Sequence, residues 1–287
     1  MYKNTRAPLK GAFLLLLTYM ELLIGAHVST AGGLANSLRK AKKLGVNCIQ
    51  IFGSSPHQYQ TRFPIEAEVA EYRKLLKASG IQRVYLHAAY LANIASGEPR
   101  IRHASIKNLS DHLRIAEIIG ADGLIFHIGS GGGKIPRQEA MKNVIAGCKE
   151  IFKNVPGKSL LVMENSAGEG NKLGSIPEEV GQMFKTVSSK RLAICLDTAH
   201  ALAANTLAGN DFESVKNFLN NWDEKVGLKN IEVIHANDSK VPAGARTDRH
   251  ENIGQGFLGL EGFKNLAADK RLRSKPWILE TPVFDGL

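Results

Sequence analysis

Eight short apolar runs separated by seven stretches of helical spacing constrain this chain more than any other feature. The runs span 22–25, 48–52, 84–87, 123–127, 160–164, 193–197, 232–235 and 277–280, and the helical stretches include 65–78 and 104–119, the latter stopped by Gly120. Runs this short and this apolar read as strands buried on both faces. Strict alternation with helices predicts parallel strands joined by right-handed crossovers, and eight such units predict an α/β fold of the (β/α)8 TIM barrel type. A doubly wound open sheet is the structural alternative. Only seven residues follow Glu280. The expected barrel therefore lacks its last helix, and the outer face of its first and eighth strands is expected to need cover from a partner or from further chain.

The chain has 287 residues, 44% of them hydrophobic, enough to bury one large core, and residues 21–287 are read as a single barrel domain. Residues 1–20 are read as an extension. Lys3, Arg6 and Lys10 precede the apolar stretch 12–17, a pattern like a signal peptide. Glu21 follows almost at once, however, and cleavage at Gly25 and Ala26 would remove the first strand. The stretch is also far below the roughly 20 residues that cross a bilayer. Translation is expected to begin at Met20, with a signal or surface anchor as the alternative. Loss of the three bases takes the formal charge from +10 to +7, so the chain stays basic and suits an anionic partner. Cys48, Cys148 and Cys195 are too few and too far apart for a disulfide framework or a structural zinc site. They fit a reducing, cytoplasmic setting.

The strand-like runs end in residues able to bind metals. His87, His127, Glu164, Asp197, His235 and Glu280 close six of them, and His200, Asp248 and His250 lie in following loops. Singly, each has a bland reading: a histidine at a strand end is usually a hydrogen-bonded core residue, and Asp197 with His200 could be a helix cap beside an incidental histidine. Glu164 and Glu280 weigh more, because a carboxylate ending a buried run needs a cation, a hydrogen-bond network or a metal. Asp248 and His250 are spaced to point the same way in extended backbone. Nine such residues on one rim favour a metal centre. Nitrogen and oxygen donors without cysteine suit zinc, manganese or iron better than calcium, and nine exceed what one ion uses. Two or three clustered metals suit phosphodiester hydrolysis.

The segments IGAHVSTAGGL (24–34), LHAAYLANIAS (86–96), FHIGS (126–130), MENSAGEGNKLG (163–174), CLDTAHALAA (195–204), HANDSK (235–240), DRHENIGQGFLG (248–259) and LETP (279–282) occur in this order. In that order the chain resembles the endonuclease IV family of abasic-site endonucleases over essentially all of 22–282. The resemblance implies a zinc-dependent deoxyribonuclease that cuts DNA on the 5′ side of an abasic site, leaving a 3′ hydroxyl and a 5′ deoxyribose phosphate, with 3′-end trimming as a companion activity. It implies three zinc ions: one held by His87, His127 and Glu164; a second by Glu164, Asp197, His235 and Glu280; a third by His200, Asp248 and His250. Glu164 bridges the first two and is the residue on which catalysis is expected to depend most. Tyr90 matches a tyrosine that holds the duplex open, and His57 stands where an arginine commonly enters the base stack. Ile128 stands where proline is common. Arg249 and Lys240 are candidates for phosphate contacts, with exposed ion pairs as the equal alternative. Asn165 and Asn237 are expected to orient ligands. The G-x-G-x-x-G match at 254–259 follows a loop rather than a strand, so its amides are expected to meet a DNA phosphate rather than a dinucleotide. Double-stranded DNA with abasic sites is thus the expected partner of a monomer needing neither nucleotide cofactor nor membrane.

Two rivals are set against this reading. Glu164, Asp197, His235 and Glu280 also resemble the single-metal site of xylose-isomerase-like sugar isomerases and epimerases, which leaves the other five ligands unexplained. A non-catalytic DNA-binding protein with structural zinc would instead need closed, cysteine-rich sites.

Overall fold

The computed structural model describes residues 22–281. The expectations for the extension, for a start at Met20 and for the missing last helix fall on residues outside that range.

Eight parallel strands close a barrel: β1 (Ile24–His27), β2 (Cys48–Phe52), β3 (Arg83–His87), β4 (Gly123–His127), β5 (Leu160–Glu164), β6 (Leu192–Asp197), β7 (Ile231–His235) and β10 (Trp277–Leu279), with β10 pairing both β7 and β1. Between β7 and β10, β8 (Asp238–Ser239) and β9 (His250–Glu251) form a small antiparallel ribbon. The outer helices are α1 (Leu34–Leu44), α2 (Glu66–Ser79), α3 (Pro99–Ile119), α4 (Arg137–Asn154), α5 (Pro177–Val187), α7 (Phe212–Lys225) and α8 (Gly259–Ala268); α6 (Thr198–Ala203) is a short turn directly after β6. The open-sheet alternative is excluded by the β1–β10 pairing.

Two differences from the expected boundaries have local causes. The first strand was expected at 22–25 and begins at Ile24, because the Asn47 side chain takes the backbone groups just before it: its Oδ1 accepts from Ile24 N at 2.7 Å and its Nδ2 donates to Leu22 O at 2.8 Å. Helix α3 starts five residues ahead of the expected Ala104, with Pro99 at its first position, where a fixed φ and a missing N–H suit a helix start. Arg100, Arg102 and His103 interrupt the apolar periodicity there without breaking the helix.

Strand pleating explains how the rim is built. Cys48, Tyr85, Ile125, Val162, Ala193, Cys195, Val233 and Ile278 point inward and form an apolar plug in the barrel. Successive side chains alternate between faces, so the next inward position on each strand lies two residues further on. Those positions are Gln50, His87, His127, Glu164, Asp197, His235 and Glu280. The intervening residues, such as Ile49, Leu86, Phe126, Met163 and Ile234, face the helices in the larger core. On β1 the inward position is Gly25, where any side chain would strike the Cys48 backbone, and His27 follows two residues later. The outer face expected to be wet is partly filled: Trp277 is buried and its Nε1 donates to Leu272 O at 3.3 Å.

Candidate metal centre

Glu164 is the hub of the rim. It is 1% exposed, and its Oε2 lies 3.3 Å from His87 Nε2 and 3.2 Å from His127 Nε2, while its Oε1 lies 3.0 Å from His235 Nδ1 and 3.3 Å from His200 Nδ1. Each oxygen thus faces a different pair of rings. His235 Nδ1 is also 3.2 Å from Glu280 Oε2 and 3.8 Å from Asp197 Oδ2. A third group gathers beside these: Asp248 places Oδ2 3.1 Å from His200 Nε2 and Oδ1 3.2 Å from His250 Nε2, and the latter is 3.7 Å from Asp197 Oδ2. The ligand atoms of His87, His127 and Glu164 lie within 4.8 Å of one another, as do those of Glu164, Asp197, His235 and Glu280, and those of Asp197, His200 and His250. The nine strand-end and loop residues therefore converge.

Ring orientation is set from behind. Nδ1–H donates to a backbone carbonyl in His87 (Ala88 O, 2.9 Å), His200 (Asn165 O, 2.9 Å) and His250 (Glu280 O, 3.4 Å), leaving Nε2 to face the cluster. Asp197 plays both parts open to it in the sequence: its Oδ1 caps α6 by accepting from His200 N at 2.7 Å, and its Oδ2 faces the rim. Asn165 clasps the Asp197 backbone, accepting from its N at 2.6 Å and donating to its O at 3.0 Å. Asn237 donates to Asp197 Oδ2 at 2.7 Å and to Glu280 Oε2 at 3.2 Å.

The electrostatics demand a cation. Among the described residues no lysine or arginine pairs with Glu164, Asp197, Asp248 or Glu280, whose ion-pair partners are all histidines. Burial alone pushes the Glu164 carboxyl up, but His235, His127 and His200 outweigh it and hold the group well below the usual range. Burial likewise opposes ionisation of Glu280 and Asp248, and the neighbouring imidazoles pull both down. The converse holds for the rings: burial disfavours their charge, yet Asp248 and Asp197 push His250 up to about 9. His235 is raised well above its ordinary value by Cys195, Glu280 and Glu164, and His200 by Asp197, Asp248 and Glu164. Ring protons and metal ions thus compete for the same carboxylates. Nε2 of His200 and of His250 are buried without an aligned hydrogen-bond partner despite the nearby Asp248 oxygens. An unpartnered ring nitrogen 3.1–3.2 Å from a carboxylate oxygen marks a position that a metal ion would fill.

The flanking loops carry the other expected residues. Tyr90 is 60% exposed and meets Phe52 edge to face at 5.5 Å, with the His87 ring at 6.1 Å and exposed His57 at 6.0 Å. The two loops are tied by Tyr90 N donating to Pro56 O at 3.2 Å and by Tyr59 Oη donating to Leu91 O at 2.7 Å. Lys240 and Arg249 are exposed neighbours across the β8–β9 ribbon, joined by Lys240 N donating to Arg249 O at 2.9 Å. Ile128 is buried and packs so closely on Gly174 that a side chain at 174 would collide with it.

One expectation is overturned. The amides of 254–259 do not face outward to a phosphate: those of Gly254, Gly256, Leu258 and Gly259 donate to the buried Asp238 carboxylate at 2.9–3.3 Å, Gln255 N to Asn252 O and Phe257 N to Ser239 O. A carboxylate sunk beneath the loop consumes the donors that a helix start would offer. Four contributors escaped the sequence reading: Asp238; Glu169, whose Oε2 accepts from Asp248 N at 2.8 Å; Gln50; and His27. Gln50 and His27 were recoverable from the two-residue alternation above the plug.

Comparison with known proteins matches this geometry to a named group. The family profile "Xylose isomerase-like TIM barrel" matches residues 38–285. A probable endonuclease 4 of Aquifex aeolicus is 37% identical over 262 residues, covering 91% of this chain and 92% of that protein, and endonuclease 4 of Thermus thermophilus is 36% identical over 261 residues, covering 90% and 91%. The crystal structure of a Thermus thermophilus endonuclease IV superposes with a TM-score of 0.81 at 35% identity, covering 91% of this chain and 93% of that one. A D-tagatose 3-epimerase-like protein shares the fold alone, with a TM-score of 0.64 at 23% identity over 89% of both chains.

Proposed function

We propose how this rim works from the premise that the chain belongs to the endonuclease IV family of xylose isomerase-like TIM barrels. It is a DNA-repair endonuclease that hydrolyses the backbone on the 5′ side of abasic sites, leaving a 3′ hydroxyl and a 5′ deoxyribose phosphate and trimming damaged 3′ ends. The observation that carries this reading is the convergence of His87, His127, His200, Asp248 and His250 on the quartet Glu164, Asp197, His235 and Glu280. A single-metal sugar isomerase uses the quartet and has no role for the other five.

The donor set fits zinc: nitrogen and oxygen only, four carboxylates without a lysine or arginine, and two buried ring nitrogens lacking partners. Three ions are expected. His87, His127 and Glu164 would hold the first, Glu164, Asp197, His235 and Glu280 the second, and His200, Asp248 and His250 the third. Bound zinc supplies Lewis acidity, making a nucleophile available near neutral pH and neutralising charge on phosphate.

The chain's own residues do the rest. Glu164 joins two ligand groups through separate oxygens, so its loss uncouples them. Asn165 and Asn237 keep the Asp197 and Glu280 carboxylates aimed at the rim. Tyr90 and His57, exposed on tied loops, stand where a duplex would be wedged open, and extrusion costs least where a base is already missing. Lys240 and Arg249 meet backbone phosphates beside the third ligand group. No helix among the described residues is long and apolar enough to cross a membrane, and a monomer acting in the cytoplasm is the expected form.

Zinc-loaded protein incubated with a duplex carrying one tetrahydrofuran abasic analogue tests the reading. A nick 5′ to the analogue is expected, and an intact duplex overturns it.

A further inference from the structure

We propose that Gln50 is a positioning residue that dictates which nitrogen of His235 is offered to a metal while holding Glu280 in place. The inference rests on the metal reading given above. His87, His200 and His250 donate Nδ1–H to backbone carbonyls and turn Nε2 to the rim. His235 is reversed: its Nδ1 faces Glu164 Oε1 at 3.0 Å and Glu280 Oε2 at 3.2 Å, and its Nε2 lies 2.8 Å from Gln50 Oε1. A side chain, not the backbone, therefore decides its tautomer, and a side chain can be replaced.

The Gln50 amide has one workable orientation. Its Nε2 donates to Glu280 Oε1 and to His27 Nδ1, the latter at 2.8 Å, and His27 is its register partner on β1. Turning the amide over would set a carbonyl oxygen against a carboxylate that can only accept. Both amide hydrogens and the oxygen are thus committed in a residue with no solvent exposure. A buried polar group with every bond made is rigid. Oε1 must then accept a proton from His235 Nε2, so a neutral ring leaves the Nδ1 lone pair free. Without Gln50 the other tautomer becomes available, and its proton occupies the very atom that faces Glu164 and Glu280.

The test compares unsubstituted protein with Gln50→Met and Gln50→Glu, each stripped of metal and reloaded with zinc. Zinc affinity is read by chelator competition, and the His235 ring by long-range 15N–1H spectra. Gln50→Met is expected to loosen one class of zinc by roughly 10- to 100-fold, the range for partners that orient a ligand, and to lose the pure Nε2–H pattern. Gln50→Glu keeps an acceptor for His235 Nε2–H but sets an oxygen against the Glu280 carboxylate, so it is expected to keep that ring pattern while zinc affinity still falls. Unchanged affinity and an unchanged ring pattern in Gln50→Met overturn the proposal. If Gln50→Met does not fold, loss of the Nε2–H form in Gln50→Glu does so instead. Failure of the unsubstituted protein to take up zinc sinks the metal reading, not this one.

Discussion

Glu164 Oε1 and His235 Nδ1 lie 3.0 Å apart above the apolar plug of the barrel, the carboxylate on β5 and the ring on β7, with β6 between them. Neither touches bulk water. The contact spans a strand, so it forms only when the barrel has its curvature, and it ties the first ligand group to the second.

Glu164→Gln is therefore expected to keep the fold and lose incision by more than roughly 100-fold, beyond what loss of an orienting partner costs. Single-turnover cleavage of an abasic duplex, alongside circular dichroism, measures both. Native rates in a folded variant would show that Glu164 is not the joint between ligand groups.

Metal-free protein should lose stability as pH rises. His250 is pushed up to about 9, and His235 and His200 are raised well above their ordinary value. A raised folded-state pKa contributes stability that is complete below about 6.5 and is lost as pH climbs through the folded value. Glu164 and Glu280, held low, act oppositely: their contribution is present above about 4.3 and fades as pH falls. Melting of chelator-treated protein should peak between about pH 5 and 6.5. A midpoint that climbs steadily with pH above that window contradicts the pairing.

Zinc must displace those ring protons. Uptake at pH 7 should release protons, with apparent affinity falling as the medium is acidified. Calorimetry in two buffers of different ionisation heat counts them; zero release would mean that the histidines are not ligands. At zinc about 1,000 times its Kd the native state gains about 4 kcal/mol.

Asp238→Asn should loosen the loop 252–259. Four amides lose a charged acceptor, each such bond contributing about 1.5–3 kcal/mol before relaxation, and the net loss is expected near about 3 kcal/mol. Hydrogen exchange at Gly254, Gly256, Leu258 and Gly259 should accelerate together. Protection that survives the substitution would remove Asp238 from its anchoring role.

Lys240→Ala and Arg249→Ala should each weaken DNA binding and lower the slope of log affinity against log salt by roughly 0.9 for every phosphate left without its cation. Unchanged slopes would leave both as surface cations.

The barrel was legible because its strands carry short, mostly apolar runs, and the nine candidate ligands because six close such runs, His200 shares a motif with one of them, and Asp248 and His250 form a D-x-H pair in a motif of their own. Gln50 sat in view within CIQIF, yet a strand read to Phe52 makes it an interior residue and not a terminus. Only the position of the plug, supplied by Cys48 and its seven companions, shows that the rim on β2 begins at Gln50. Asp238 was hidden for another reason. It looks like any loop aspartate in HANDSK, and its acceptor role depends on a turn 16–21 residues later folding back over it. The amides at 254–259 were misjudged with it, since free donors and consumed donors have the same sequence.

Closure of β10 onto β1 has a consequence for synthesis. Glu280 follows the last barrel strand, so a chain synthesised only as far as β7 holds His87, His127 and Glu164 but has no eighth strand to bring that carboxylate into place. On the metal reading proposed above, incision is withheld from any molecule in which β10 has not closed onto β1 and β7.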